Sequence, residues 1–163
     1  YTVLSKMATR QLLEDIRSLY ENIGMSIFKG KGKTSTNVMG IKVDINMFHQ
    51  DEENEEWGFD VNHQGQEIGY YMVHGDAGDV ITNFHGEAYS ENGDSTDEYD
   101  NHNDFISWLV SSALEDGLIS EGMLDKAKQM AMKFLKKSKK KISKRFKWSK
   151  GLKQAASKKG LKL

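Results

Sequence analysis

Apolar residues in the first part of the chain recur at the spacing of an α-helix. They fall at i, i+4, i+7, i+8 and i+11, and they are Leu12, Ile16, Leu19, Tyr20 and Ile23. This spacing places all five on one helical face. Ser5 or Thr9 precedes the pattern as an N-cap, and Gly24 follows it as the expected stop. The sequence therefore predicts a first helix that ends near residue 22.

The middle of the chain alternates apolar and polar residues with a period of two, which is typical of half-buried strands. This pattern predicts strands over residues 41–47, 57–61, 68–73 and 80–85, with 87–89 extending the last one. Residues 25–28 form a further short strand candidate, and residues 29–37 are expected to be a basic, polar loop. The breaks between the four main strands are short and polar, so we expect an antiparallel meander.

A second helical pattern follows an acidic loop over residues 91–104. Asp104 is its expected N-cap, and Asp116 with Gly117 marks its expected end. Its inner face consists of Ile106, Leu109, Val110, Ala113 and Leu114. The predicted fold class is α+β: an antiparallel four-stranded meander flanked by an N-terminal and a C-terminal helix, followed by a long cationic amphipathic helix.

The long helix is predicted to start after Ser120. At 100° per residue, one arc roughly 120° wide contains Leu124, Ala127, Ala131, Phe134, Leu135, Ser138, Ile142, Phe146, Ser149, Leu152 and Ala156. Lysines cover most of the remaining surface. Residues 124–156 would form a rod of roughly 50 Å at the rise of an α-helix. We therefore predict two parts, an acidic α+β domain over residues 1–119 and a basic helical tail over residues 120–163.

Charge is segregated along the chain in the same way. Residues 43–125 contain 21 Asp and Glu and no Lys or Arg, whereas residues 126–163 contain 15 Lys and one Arg and no acid. The three parts of the chain carry formal charges of +4, −21 and +16, which agrees with a net charge of −1. Fields of this size act on charged partners within roughly 8–10 Å at physiological salt.

The basic tail is predicted to bind nucleic acid. Lysine ammonium groups bind phosphates without choosing a base sequence. The predicted contact residues are Lys133, Lys136, Lys137, Lys139, Lys140, Lys141, Lys144, Arg145, Lys147, Lys150 and Lys153. Because Arg145 is the one arginine of the tail, readout of bases through bidentate arginine is not expected. A phage particle or another large assembly would be a suitable setting.

Three other binding partners of the tail remain open. An anionic membrane suits a helix with a Lys-rich face and an apolar stripe. A protein partner could cover the part of the stripe formed by Leu135, Ile142, Phe146 and Leu152. The tail could also dock on the chain's own acidic body, which would then mask it until a polyanion competes.

Catalytic and metal chemistry have weaker signals. His63, His74 and His85 recur every eleven residues, but a meander would place His63 and His85 at one edge and His74 at the other. The loop aspartates do not match EF-hand spacing, and the chain has no Cys and no nucleophile motif. We therefore predict a non-enzymatic binding protein with no cofactor, no metal site and no catalytic residue. A metal-dependent nuclease using His and Asp is an alternative.

The sequence contains few signals that bear on the localisation of the protein. No apolar run approaches the roughly 18 residues that a membrane span requires. A cytoplasmic or virion-associated location is favoured. Because the chain begins at Tyr1, secretion after removal of a leader also stays open.

Overall fold

The computed structural model describes residues 23–119 and 147–160. Within these ranges the strands are β1 (Lys33–Val38), β2 (Ile41–Asp51), β3 (Glu56–His63), β4 (Gln66–His74), β5 (His85–Ser90) and β6 (Ser95–Thr96). The helices are α1 (residues 23–29), α2 (Ala77–Thr82), α3 (His102–Glu115) and α4 (Lys150–Ser157).

The strands form one antiparallel sheet in which their spatial order follows the chain, from β1 to β6. Two of the connections are two-residue hairpins. Met39 and Gly40 join β1 to β2, and Gln64 and Gly65 join β3 to β4, with φ values of 53°, 79°, 50° and 81°. Positive φ at both turn residues is the geometry of a type I′ turn, whose twist matches the flanking strands. Glycine at the second position adopts it without a Cβ clash.

The main hydrophobic core lies between the sheet and α3. Phe59 and Tyr71 stack with ring centroids 5.1 Å apart, and Tyr71 stacks on Phe105 of α3 at 5.6 Å. Trp108 and Leu109 of the same helix are 2% and 0% exposed. This core contains none of the described C-terminal residues, so it does not depend on them for its packing.

The α+β class is confirmed, but the sheet has six strands rather than four. The segment 29–37, predicted to be a loop, contributes most of β1. The segment does not alternate apolar and polar residues, because only Val38 of this edge strand is buried. The two-residue β6 lies inside the predicted acidic loop, where Thr96 is buried.

The fourth strand was predicted to begin at residue 80, which is too early. Residues 80–82 belong to α2, because Asp76 caps that helix by accepting a hydrogen bond from the backbone N–H of Asp79 at 2.8 Å. The strand is β5, which begins at His85. Its buried stretch therefore includes the residues 87–89 that were predicted as an extension.

The short strand predicted over residues 25–28 is helical in the structure. Gly24, the expected helix stop, is itself helical, and a Cβ at this position would stand 2.5 Å from the carbonyl oxygen of Ile81. Glycine is therefore required here by close packing against the backbone of the last turn of α2, and not as a helix terminator. The helix predicted before residue 22 lies outside the described residues.

The second predicted helix is confirmed as α3, with a corrected N-cap. Asn101 accepts a hydrogen bond from the backbone N–H of Asp104 at 2.9 Å, so Asp104 lies in the first turn. The helix ends at Asp116 and Gly117 as expected, and Gly117 has a φ of 77°.

The prediction of one continuous C-terminal helix is wrong at residues 147–149, which are not helical. Ser149 has φ −67° and ψ 162°, and its side chain accepts from the backbone N–H of Leu152, so it caps the separate helix α4. Residues 120–146 lie outside the described ranges. The division between residues 119 and 120 stays a prediction.

Candidate functional site

The sheet face opposite α3 carries acidic and aromatic side chains in register. Directly paired residues point to the same face of a sheet. The cross-strand rows on this face are Glu56–His74–His85, Gly58–Met72–Glu87 and Asp60–Tyr70–Tyr89. We call Glu56, Asp60 and Glu87 the acidic face; they are only 2%, 3% and 0% exposed.

Residues 147–160 cover this face. Trp148, Leu152 and Ala156, here called the inner stripe, recur every four residues and are 6%, 0% and 1% exposed. They form a second buried cluster with Tyr70, Met72 and Tyr89, and Phe48 packs against its side. Residues four apart lie on one side of a helix, so one side of α4 is committed to the sheet.

Each residue of the acidic face accepts a hydrogen bond from the covering segment. The Trp148 indole Nε1 donates to Glu87 Oε1 at 3.1 Å, and the Ser149 backbone N–H donates to Glu56 Oε2 at 2.8 Å. Lys159 Nζ donates to Asp60 Oδ2. Burying a carboxyl group is costly unless it is hydrogen-bonded, so these three contacts offset part of the cost of burying the acidic face.

Lys159 anchors the far end of the segment. Its Nζ forms an ion pair with Asp60, lies 3.7 Å from Glu67 Oε1, and stands 5.3 Å from the centroid of the Phe48 ring. The Tyr70 hydroxyl donates to the Lys159 carbonyl at 3.1 Å. Burial raises the pKa of Glu67 to about 7, although the Lys159 ammonium opposes the rise. Burial also raises the pKa of Tyr70 to about 12.

The opposite side of the segment is basic and exposed. Lys147, Lys150, Lys153 and Lys158, here called the outer lysines, all face solvent. The first three belong to the predicted nucleic-acid contact set. The other eight members of that set lie between residues 133 and 145, outside the described residues.

The three regularly spaced histidines are placed differently from our expectation. His74 ends β4 and His85 begins β5, and they are direct cross-strand partners with exposed side chains. His63 lies at the other end of the sheet, where its Nδ1 is 2.9 Å from the carbonyl oxygen of Lys42. His63 and His74 lie at opposite edges as expected, and only His85 was placed wrongly, because residues 80–82 are helical and His85 therefore begins β5 instead of ending a strand. The three residues do not converge on one point.

His102 occupies a buried polar site within the main core. Its Nε2 donates to the Val80 carbonyl at 2.6 Å, so its Nδ1 accepts from the Tyr71 hydroxyl at 2.6 Å. Burial lowers the pKa of His102 to about 4 and raises that of Tyr71. Both rings are fully engaged with core partners, which indicates a structural role.

A cavity of about 510 Å³ opens beside this core, between α1, the end of α2 and the start of α3. Its polar lining includes Asn101 and Asp104. These two residues are already bonded to each other, because the Asn101 amide donates to Asp104 Oδ2 at 2.9 Å and its oxygen caps the helix. The cavity thus presents helix-capping groups, and its polar groups show no constellation for catalysis.

The sequence did not single out the residues that hold the segment on the sheet. Glu56, Asp60 and Glu87 were counted only among the acidic residues of the chain, and Trp148 was not placed against the sheet. One usable signal was Ser149, three positions before Leu152, because a serine there is a good N-cap. It would have indicated a break in the predicted long helix.

Comparison with protein-family models, with curated proteins and with solved structures gave no match. Among the described residues, no helix has both the length and the apolar character required to cross a membrane.

Proposed function

We propose that this protein is a non-enzymatic binding protein whose basic C-terminal segment engages polyanions, with nucleic acid as the polyanion and no choice of base sequence. One observation carries the proposal: residues 147–160 have two distinct sides. The inner stripe is buried on the sheet, while the outer lysines all face solvent.

Docking leaves the positive charge of these lysines available. Within the described residues, the segment is held by buried apolar contacts, by an indole and a backbone N–H donor, and by Lys159. The outer lysines take no part in those contacts. Lys150 and Lys153 are three residues apart on α4, so they lie on neighbouring positions of one helical surface. A helix fixed on a sheet presents its charges with little further loss of backbone freedom on binding.

The chemistry of these side chains favours phosphate contact over base recognition. An ammonium group is a point charge that binds phosphate oxygens from many directions. Such contacts supply affinity through release of counterions and carry no sequence information. The proposal includes the predicted contacts between residues 133 and 145, which belong to the same basic tail.

The packing of residues 147–160 on the sheet also bears on the alternative that the tail binds an anionic membrane. An interfacial helix inserts its apolar side into the lipid. In residues 147–160 that side is packed against Tyr70, Met72 and Tyr89. Lipid binding by this segment would therefore require it to leave the sheet, whereas phosphate binding would not. This difference favours nucleic acid over a bilayer.

The test compares two variants of the full chain with equal changes in charge. One replaces the outer lysines with Gln, and the matched control replaces four exposed lysines elsewhere, namely Lys29, Lys31, Lys33 and Lys42. Binding to two duplex DNA fragments of unrelated sequence is measured across a range of salt. The slope of log K against log salt is roughly −0.9 per phosphate contacted. We expect the first variant to lose up to about 3.6 from the magnitude of this slope, at about 0.9 for each of four lysines. The control should stay close to the native slope.

Equal losses in both variants would mean that net charge alone drives binding and would contradict the proposal. A strong preference for one fragment would contradict the absence of sequence choice. Anionic vesicles serve as a second arm, with flotation as the readout. Vesicle binding without DNA binding would replace the proposal with the membrane interpretation.

A further inference from the structure

A β-bulge in β2 changes which face of the sheet its last residues occupy. Met47 pairs with Phe59 and His49 pairs with Gly58, so Phe48 is an extra residue between them. Residues before the bulge, such as Val43 and Ile45, point into the main core. Without the bulge, His49 and Asp51 would continue that alternation into the core. With it, both point to the opposite face, where α4 lies.

Gly58 accommodates the bulge. The Phe48 ring lies over its backbone, and a Cβ at Gly58 would stand 2.5 Å from the Phe48 Cζ atom. Asp51 pairs directly with Glu56 across β2 and β3. The bulge therefore brings three potential metal ligands together: His49 and Asp51 at alternate positions of one strand, and Glu56 on the next strand.

The ligand atoms of His49, Asp51 and Glu56 all lie within 4.8 Å of one another. In an ideal tetrahedron with bonds of about 2.0–2.1 Å, ligand atoms stand about 3.3 Å apart. Separations of up to 4.8 Å would have to shorten by at most about 1.5 Å to reach such a geometry. Among the described residues, no other set of three histidine or acidic side chains is this close.

Two buried atoms of this cluster have no hydrogen-bond partner among the described residues. They are His49 Nε2 and Glu56 Oε1. Glu56 is 2% exposed, and its other oxygen, Oε2, already accepts from the Ser149 backbone N–H. A buried polar atom without a partner is costly, and such atoms point to a missing ligand, ion or water. Here the unpaired imidazole nitrogen and carboxyl oxygen lie in the same cluster.

Asp51 is positioned as the third ligand by its own turn. Its Oδ1 accepts from the Asn54 backbone N–H at 3.0 Å and its Oδ2 from the Asn54 amide at 2.8 Å. Partners of this kind orient a ligating carboxylate, and each oxygen retains a further lone pair.

We propose that His49, Asp51 and Glu56 bind one divalent transition-metal ion at the edge of the acidic face, beneath the start of α4. One imidazole nitrogen with two carboxyl oxygens suits Zn²⁺ and its first-row neighbours, whereas Ca²⁺ takes six to eight oxygen ligands. The position beneath α4 follows from the Glu56–Ser149 hydrogen bond. It also follows from Gly151, where a Cβ would lie 3.7 Å from His49 Cε1. This site is independent of the outer lysines.

The test uses the full chain, first stripped with a chelator and then titrated with Zn²⁺ alone by calorimetry. The variants are His49→Gln and Glu56→Gln, and the second retains an oxygen that can accept from Ser149. The matched control is His63→Gln, which removes an imidazole from the other end of β3. We expect one equivalent of Zn²⁺ in the native chain and the control. Because loss of a supporting residue alone costs about 10–100-fold in affinity, we expect each ligand variant to bind at least about 10-fold more weakly.

A second measurement does not depend on the variants' folding. Zn²⁺ added to the native chain should shift the ring nitrogen signals of His49 in imidazole NMR spectra, while those of His63 stay in place. Failure of the native chain to bind one equivalent would overturn the proposal, as would equal affinity in all three variants. A Zn²⁺-induced shift at His63 with none at His49 would overturn it as well.

Discussion

Replacement of Trp148 by Ala should release residues 147–160 from the sheet while leaving the main core folded. Trp148 is 6% exposed, and a buried Trp removes roughly 150–250 Å² from water. At about 25 cal/mol/Å² this area is worth about 4–6 kcal/mol, and Trp→Ala changes in cores typically cost about 3–5 kcal/mol. We take about 3 kcal/mol for the docking equilibrium, which corresponds to a roughly 100-fold larger undocked fraction.

Hydrogen exchange read by mass spectrometry measures the undocked fraction of residues 147–160 directly. When opening is fast and reversible, the exchange rate of a helix amide scales with the open fraction. The hydrogen-bonded amides of α4 and its C-cap, such as those of Lys153 and Lys158, should therefore exchange about 100-fold faster in the variant. Amides of β3 and β4 should keep their native rates to within a few-fold, because the main core contains no residue of this segment.

Trp108→Ala is the matched control, since Trp108 is 2% exposed and belongs to the main core. It should raise exchange throughout the sheet and lower the free energy of unfolding of the whole domain. The reasoning would be refuted if Trp148→Ala left α4 exchange unchanged. Equal acceleration in α4 and in the central strands would refute it in a different way, because the segment and the sheet would then unfold as one unit.

Two titrations give further predictions. Burial lowers the pKa of His102 to about 4, so its neutral form contributes stability that is complete above the unfolded pKa of about 6.5 and is lost as pH falls toward 4. Relative to His102→Gln, the native chain should therefore lose up to about 3 kcal/mol in urea unfolding between pH 7 and pH 4; parallel pH curves would contradict this. Lys159→Met should raise the pKa of Glu67 above its native value of about 7, because the ammonium opposes the effect of burial. Carbon NMR of the Glu67 carboxyl group measures it, and an unchanged pKa would show that the two groups are not in contact.

Much of the fold could be predicted from periodicity and turn residues. The alternation over residues 57–61 and 68–73 located the two central strands, because both lie in the sheet interior with apolar residues on the core face. Helix α3 was recognisable because its apolar residues keep helical spacing for three turns. These signals are local, and tertiary packing here agrees with them.

Features that depend on contacts between residues distant in the sequence could not be predicted. The bulge at Phe48 has no local signature, since Met47, Phe48 and His49 continue an ordinary strand composition. Strand β1 is polar because only its last residue meets the core. The acidic face looked like a solvated surface, because nothing in the order of residues shows that Trp148 and Lys159 return to it from about 60–100 positions away.

The contacts that hold residues 147–160 on the sheet explain how the outer lysines keep their positive charge available although the same chain carries many acidic residues. Within residues 147–160, Lys159 is the lysine whose ion pairs with described residues hold the segment. The other polar anchors are the Trp148 indole, the Ser149 backbone N–H and the carbonyl of Lys159, which accepts from the Tyr70 hydroxyl. Salt screens exposed charge pairs strongly but acts little on buried apolar contacts and on hydrogen bonds from neutral donors. Under the proposed function, docking should therefore persist at salt concentrations that release the polyanion from the outer lysines. Holding residues 147–160 and the proposed binding through the outer lysines depend on different interactions, so the acidic face can retain this segment without consuming the charge of its outer lysines.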